Sequence, residues 1–253
     1  MNTTIRRPRL SGADAGVAVA LIGLVGGLGP AATVYYYQAL LAECARRSLQ
    51  PRVVIGHADV QRVLDAASRD ARDELADYLA SILRELEGAG SSLLAIGAVT
   101  PHLCMPELAQ RIRTPIVDII DVLNTELRRR RLERVVLIGT RMTVESRLFG
   151  RLAATAVDLS PSRIAQAHDL YVDIVRAGRV SDETARALRA LGAEISARGD
   201  VQAIVLAGTE LALVPAGVWG DANVIDCARL HIEAIVRAAR LETTFARELQ
   251  LPD

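Results

Sequence analysis

The stretch SSLLAIGAVTPHLCMP, residues 91–106, decides the fold. Its apolar run, Leu93, Leu94, Ala95 and Ile96, is short and bounded by small residues, so it reads as a buried strand rather than a helix. It breaks at Gly97 into a polar turn carrying Thr100 and His102. Residues 201–211, VQAIVLAGTEL, repeat the form: Ala203, Ile204, Val205 and Leu206 run to Ala207 and Gly208, and Thr209 and Glu210 follow. In an open parallel sheet, ligands sit just past the carboxyl ends of the strands. Two such ends, each with a hydroxyl and an ionisable group, are candidate walls of one site.

Outward from these runs, strand-like and helical segments alternate. Strands are expected at 18–24, 52–55, 115–119, 134–138 and 223–226. Helices are expected from 31, over 70–88, 105–113, 122–131, from about 145, over 168–178, 181–198 and 228–247. The alternation predicts βαβ units and a parallel sheet, hence an α/β fold. LIGLVGGLGPAAT (21–33) is echoed by VVLIGTRMTVES (135–146), and LLAIGAVTPH (93–102) by IVLAGTEL (204–211). This internal similarity predicts two like parallel-sheet lobes related by a pseudo-twofold, with the site in the cleft between them. Residues 15–118 with 211–253 are assigned to the first lobe, 119–210 to the second, and 1–14 to a flexible tail.

The composition narrows the function. The 253 residues are 51% hydrophobic, ample for a core built from Ala, Val, Leu and Ile. Thirty basic residues balance thirty acidic ones, which speaks against an electrostatic nucleic-acid binder. Aromatics are 3%, too few for a base-stacking platform. The RRRR run at 128–131 reads as a helix end where the macrodipole favours cations. Cys44, Cys104 and Cys227 are odd in number with no CxxC spacing, so a reducing cytoplasm is expected, without a disulfide framework or structural zinc. His57, His102, His168 and His231 are widely spaced and nothing local implies a metal. Arg6 and Arg7 before an apolar segment faintly mimic a signal peptide, but the segment runs into a glycine-rich turn and reads as a strand; no membrane association is expected.

Each motif has a functional and a structural reading. Gly26, Gly27, Leu28, Gly29 and Pro30 open a helix, a place that binds anions, or form a tight turn that needs glycine. The run lacks the GKS/T ending of a P-loop and is a poor dinucleotide fingerprint. Thr140 and Thr143 can hold a carboxylate or cap a helix. His102 can be a catalyst or a hydrogen-bonded structural residue. Glu210 can be a buried acid–base group, since burial raises a carboxyl pKa, or a cap.

At these residues the chain resembles the aspartate/glutamate racemase superfamily, from about Leu21 to about Ala239. Gly26 to Pro30 is similar to that family's GGMGP turn, with Thr33, Tyr36 and Tyr37 following. His57-Ala58-Asp59 is similar to its HSxDF segment, and Ala98 to His102 falls on its CNTxH motif. Gly139-Thr140 with Thr143 matches GTxxT, Ala207 to Glu210 falls on GCTE, and Asp226 and His231 match a closing D(T/P)…H pattern. The resemblance implies a cofactor-independent enzyme that binds a small carboxylate or amino acid, commonly as a homodimer. Gly29, Thr100, Thr140, Thr143 and Thr209 would cradle the substrate carboxylate. Asp59 and Glu210 would contact an amino group or a second polar end; for an enzyme of altered chemistry, Glu210, His102 and Asp59 are the acid–base candidates.

The departures matter more than the matches. Cofactor-independent racemases of this family use two facing cysteines, one from each lobe. Here the first position is Ala98 (Gly97 under a variant spacing) and the second is Gly208. Cys104 lies beyond the turn, where packing is its expected role. Three outcomes follow: a repurposed proton-transfer enzyme (isomerisation, cyclisation, elimination or decarboxylation), a non-catalytic carboxylate-binding protein, or an amino-acid racemase using non-cysteine bases.

Overall fold

The computed structural model describes residues 17–248, with side chains over 19–241. The tail expected at 1–14 lies outside the described residues. In chain order the elements of the first lobe are β1 (Val17–Ala18), β2 (Ile22–Gly26), α1 (Pro30–Arg46), β3 (Leu49–Gln50), β4 (Val53–His57), α2 (Val60–Ser68), α3 (Arg72–Gly88), β5 (Leu93–Ile96), α4 (Met105–Leu108) and β6 (Ile116–Val117). There follow α5 (Ile119–Arg130), β7 (Arg134–Gly139), α6 (Arg141–Glu145), β8 (Thr155–Ala156), α7 (Pro161–Ala177), α8 (Asp182–Ser196), β9 (Ala203–Ala207), β10 (Val224–Asp226) and α9 (Cys227–Glu248).

Two four-stranded parallel sheets form the frame, in the orders β4-β2-β5-β6 and β8-β7-β9-β10. The orders correspond strand for strand, so the two lobes are alike, as the internal similarity predicts. Every residue of β2, β5 and β9 is buried. That is the signature of parallel strands covered on both faces, and it explains their unbroken apolar runs. In the first lobe β2 and β5 pack against α3 through Leu79, Leu83 and Leu86. In the second, β7 and β9 pack against α7 and α8 through Ile174, Leu188, Leu191 and Ile195.

Several boundaries differ from expectation, each for a local reason. A helix, α2, precedes the one expected at 70–88: Asp59 caps it by accepting from the amides of Gln61 and Arg62, and Asp70, at φ 50°, separates it from α3. The strand expected at 115–119 stops at Val117 because Asp118 caps α5, accepting from the amides of Ile120 and Asp121. The helix expected from about 145 begins at Arg141 and ends there instead. Thr140 caps it, and Arg147, Leu148 and Phe149 all turn left-handed, with φ between 51° and 61°. The helix expected over 105–113 is α-helical only to Leu108.

The chain after β9 contributes to both sheets' surroundings. Val224–Asp226 belongs to the second sheet, paired with Ile204, Val205 and Leu206. In the closing helix, Ala228, Ile232, Ile235 and Val236 join one core with Ile22, Leu24, Tyr36 and Leu40.

Candidate active site

The carboxyl ends of β2, β5, β7 and β9 face a single cavity of about 480 Å³. Both stretches singled out in the sequence line it, through Ala98 and Thr100 on one wall and Gly208, Thr209 and Glu210 on the other. Thr140 and Thr143, after β7, complete the polar end. Leu28, Val63, Leu64, Met142 and Val175 make much of the remaining wall apolar.

Glu210 supplies the carboxyl group among the lining residues, and it is 2% exposed. Its Oε2 accepts from the Tyr171 hydroxyl in a short hydrogen bond and from Thr209 Oγ1 at 3.2 Å. Burial pushes its carboxyl above the ordinary value, against these hydrogen bonds, which pull it down. Its Oε1 rests against Gly29, the residue before α1: a Cβ at 29 would overlap that oxygen. Gly29 therefore serves the site through the space it leaves for Glu210.

The glycine turn itself is tied internally. Gly27, at φ 84°, needs to be glycine, and its N–H donates to Thr33 Oγ1 at 2.9 Å, so that amide is engaged within the loop. Thr33 Oγ1 in turn donates to the Gly29 carbonyl at 3.0 Å.

The threonines divide. Thr140 Oγ1 accepts from the Thr143 amide at 3.1 Å and pairs with Thr143 Oγ1 at 2.8 Å, so it caps α6 while lining the cavity. Thr143 is 1% exposed and Thr209 2%. Thr100 opens the turn after β5 and lines the cavity.

Two of the three acid–base candidates stand elsewhere. His102 is fully buried and both ring nitrogens serve backbone: Nδ1 donates to the Ala98 carbonyl at 2.9 Å, and Nε2 accepts from the Ile119 amide at 3.3 Å. It pins the turn after β5 to the start of α5 and does not line the cavity. Burial lowers its pKa, so the ring is neutral as those bonds require. Asp59 is exposed, spends Oδ1 on capping α2, and does not line the cavity.

The closing motif is structural as well. Asp226 Oδ1 accepts from the Arg229 amide at 3.1 Å. His231 joins its Nδ1 to the Tyr36 hydroxyl at 2.9 Å, and its Nε2 donates to the Val117 carbonyl at 2.8 Å. Cys104 does not line the cavity, and its Sγ donates to the Pro101 carbonyl at 3.3 Å. Burial pushes its thiol up to about 12, so it is not a thiolate at neutral pH. Among the described residues no group of three or more His, Cys, Asp or Glu could hold a metal.

One face of α7 went unread in the sequence. His168, Tyr171, Val172, Val175 and Arg176 all line the cavity. Their spacing of three, four, seven and eight is one helical stripe, and that periodicity was the available signal. Tyr171 is the member that touches Glu210.

The sequence model of the Asp/Glu/Hydantoin racemase family matches residues 25–235. The fold is similar to that of an aspartate racemase homologue from Pyrococcus horikoshii OT3, at 22% identity and TM-score 0.71, covering 87% of this chain and 98% of that one. It is similar to Picrophilus torridus aspartate racemase at 20% identity and TM-score 0.66, covering 89% and 94%. A glutamate racemase from Thermus thermophilus, in complex with β-chloro-D-alanine, matches at 22% identity and TM-score 0.55, covering 92% and 84%. At these identities the likeness fixes the fold.

Proposed function

The chain belongs to the Asp/Glu/hydantoin racemase family, and from that premise we propose that it binds a small carboxylate or amino-acid-like substrate between its lobes and moves a proton with Glu210, without a pair of thiols. The observation that carries the reading is the buried Glu210 carboxyl at the polar end of the cavity. Thr100, Thr140, Thr143 and Thr209 cradle the substrate carboxylate, with Gly29 keeping space for Glu210. A carboxyl held above its ordinary pKa is a stronger base than a free glutamate and closer to neutrality, where acid–base catalysis is most effective.

The proton transfer is one-sided. The first-lobe wall presents Ala98 and Thr100, neither of which exchanges a proton at neutral pH, while the second-lobe wall presents Glu210. That suits isomerisation, cyclisation, elimination or decarboxylation through an enolate better than two-base racemisation. The compartment and assembly belong to the same proposal. Three free, buried cysteines suit a reducing cytoplasm. The homodimer rests on the family resemblance, and sedimentation velocity tests it. Among the described residues no helix is long and apolar enough to cross a membrane.

Proton NMR in D₂O, with both enantiomers of aspartate, glutamate and phenylalanine as probes, tests the reading. Wild-type protein is expected to exchange or convert at least one probe. Glu210→Gln is expected to lose about 100-fold or more of that rate, the span of general acid–base catalysis, while still being stabilised by the probe in a thermal shift. Unchanged turnover in Glu210→Gln sinks the proposal.

A further inference from the structure

Residue 208 has no side chain, and the ring of Tyr171 occupies the space one would fill. Gly208 has φ −155°, ordinary extended backbone, so conformation does not demand glycine there. Space does. A Cβ on residue 208 would stand 3.0 Å from Tyr171 Cζ and 3.1 Å from Cδ2, and it would overlap Cε2. Tyr171 reaches this place from α7, half-buried, lining the cavity. Its hydroxyl donates to Glu210 Oε2, which also accepts from Thr209. The carboxylate is held from the other side by its contact with Gly29. The phenol is thus a member of the cavity wall that is hydrogen-bonded directly to the buried carboxylate.

We propose that Tyr171 is the proton-transfer group of the second-lobe wall, relaying a proton between the substrate carbon and Glu210 from the space that a side chain at residue 208 would fill. The proposal rests on the reading of Glu210 as the base. As the substrate C–H bond breaks, its proton passes to Tyr171 Oη. The phenolic proton moves in the same step along the existing hydrogen bond to Glu210 Oε2. The electron pair left on carbon is delocalised into the adjacent carboxyl or carbonyl group as an enolate. Glu210 ends as a carboxylic acid, Tyr171 is unchanged, and nothing is oxidised or reduced. Reversal returns a proton or deuteron to the same face, so exchange proceeds with retention. Burial raises the pKa of the phenol as well as that of the carboxyl, so tyrosinate need not accumulate and the relay is concerted.

The test follows deuterium incorporation at the α-carbon of both enantiomers of aspartate, glutamate and phenylalanine, in wild type, Tyr171→Phe, Glu210→Gln and Gly208→Ala. The expected result is exchange with retention in wild type. A loss of about 100-fold or more is expected in both Tyr171→Phe and Glu210→Gln, with the probe-induced thermal shift kept. Gly208→Ala is expected to slow exchange by driving the ring off Glu210. A purely structural Tyr171 would not separate binding from exchange in this way. Wild-type exchange in Tyr171→Phe, alongside loss in Glu210→Gln, overturns the relay and leaves Glu210 as the base. Wild-type exchange in Glu210→Gln, or no exchange of any probe by wild type, overturns the underlying reading and the relay with it. The steric half has its own measurement: Gly208→Ala lowers the melting temperature in wild type but not in a Tyr171→Ala background. An equal effect in both backgrounds overturns the substitution of one side chain by the other.

Discussion

Gly29 and Glu210 meet across the two lobes: the glycine before α1 leaves room for Oε1 of a carboxylate that follows β9, and a Cβ at residue 29 would stand 3.0 Å from Glu210 Cδ and overlap Oε1. Gly29 has φ 175°, which any residue adopts, so the glycine is there for space alone. The other side of the carboxylate is fixed by Tyr171 and Thr209, so it cannot swing away freely.

Gly29→Ala is therefore expected to displace Glu210 and to destabilise the protein by about 1–3 kcal/mol, the usual cost of overpacking. In a Glu210→Ala background the same substitution should be close to neutral, giving a coupling energy between the two positions. Urea denaturation of the four proteins measures it. Additive costs would show that residue 29 does not press on Glu210.

The raised Glu210 pKa fixes the sign of a pH effect. The folded carboxyl holds its proton at pH values where the unfolded one, near 4.3, has lost it. The folded state then binds more protons, so this group's contribution is present at low pH and falls as pH rises through the window above about 4.3. Glu210→Gln keeps an acceptor for Tyr171 and removes the ionisation. Relative to wild type it is expected to gain stability from pH 4 upward, levelling off above the folded pKa. Paired urea melts across that range check it; a pH-independent difference contradicts the raised carboxyl.

The buried histidines act in the opposite direction. His231 is pushed down to about 3 by burial and then by the neighbouring His102, whose own pKa burial also lowers. Their rings lie 6.1 Å apart, and each neutral ring is already satisfied on both nitrogens. The unfolded chain protonates them below about 6.5 while the folded chain does not. Stability is thus fully present above about pH 6.5 and falls below it, by up to about 1.4 kcal/mol per pH unit per histidine. His231→Gln should flatten this slope between about pH 5 and 6.5 while lowering stability at neutral pH. A wild-type profile that is level over the same interval would rule the account out.

The frame of the site was legible because its signals are local. Leu93–Ile96 and Ala203–Ala207 are unbroken apolar runs ended by small residues, and parallel strands covered on both faces have no other pattern available. Thr100, Thr140, Thr143, Thr209 and Glu210 follow strand ends directly, so placing the strands placed them too. His102 and Asp59 carried the right chemistry in the right turns, but their partners are backbone groups: the Ala98 carbonyl and Ile119 amide for one, a helix start for the other. Sequence shows which side chains are available, and hydrogen-bond accounting decides which of them are already used. Tyr171 was hidden for a different reason. Its helix divides between an inward face, with Ala167 and Ile174, and a cavity face, and only the packing of α7 on the second sheet tells which stripe is which.

Thiol chemistry can be separated from carboxylate chemistry without knowing the substrate. Cys44, Cys104 and Cys227 are each no more than 2% exposed, and none lines the cavity. Burial raises all three thiols, Cys104 to about 12, so the thiolate that reacts with alkylating agents is scarce at neutral pH. Iodoacetamide at pH 8 is expected to leave the folded protein unmodified by mass spectrometry and to modify all three cysteines in urea. Cys104→Ala should keep the deuterium-exchange rate while losing stability, since the fully buried thiol belongs to the same core as Leu108 and Ile96. Rapid alkylation of Cys104 in the folded state, with loss of exchange, would return a thiol to the mechanism and displace Glu210 as the base.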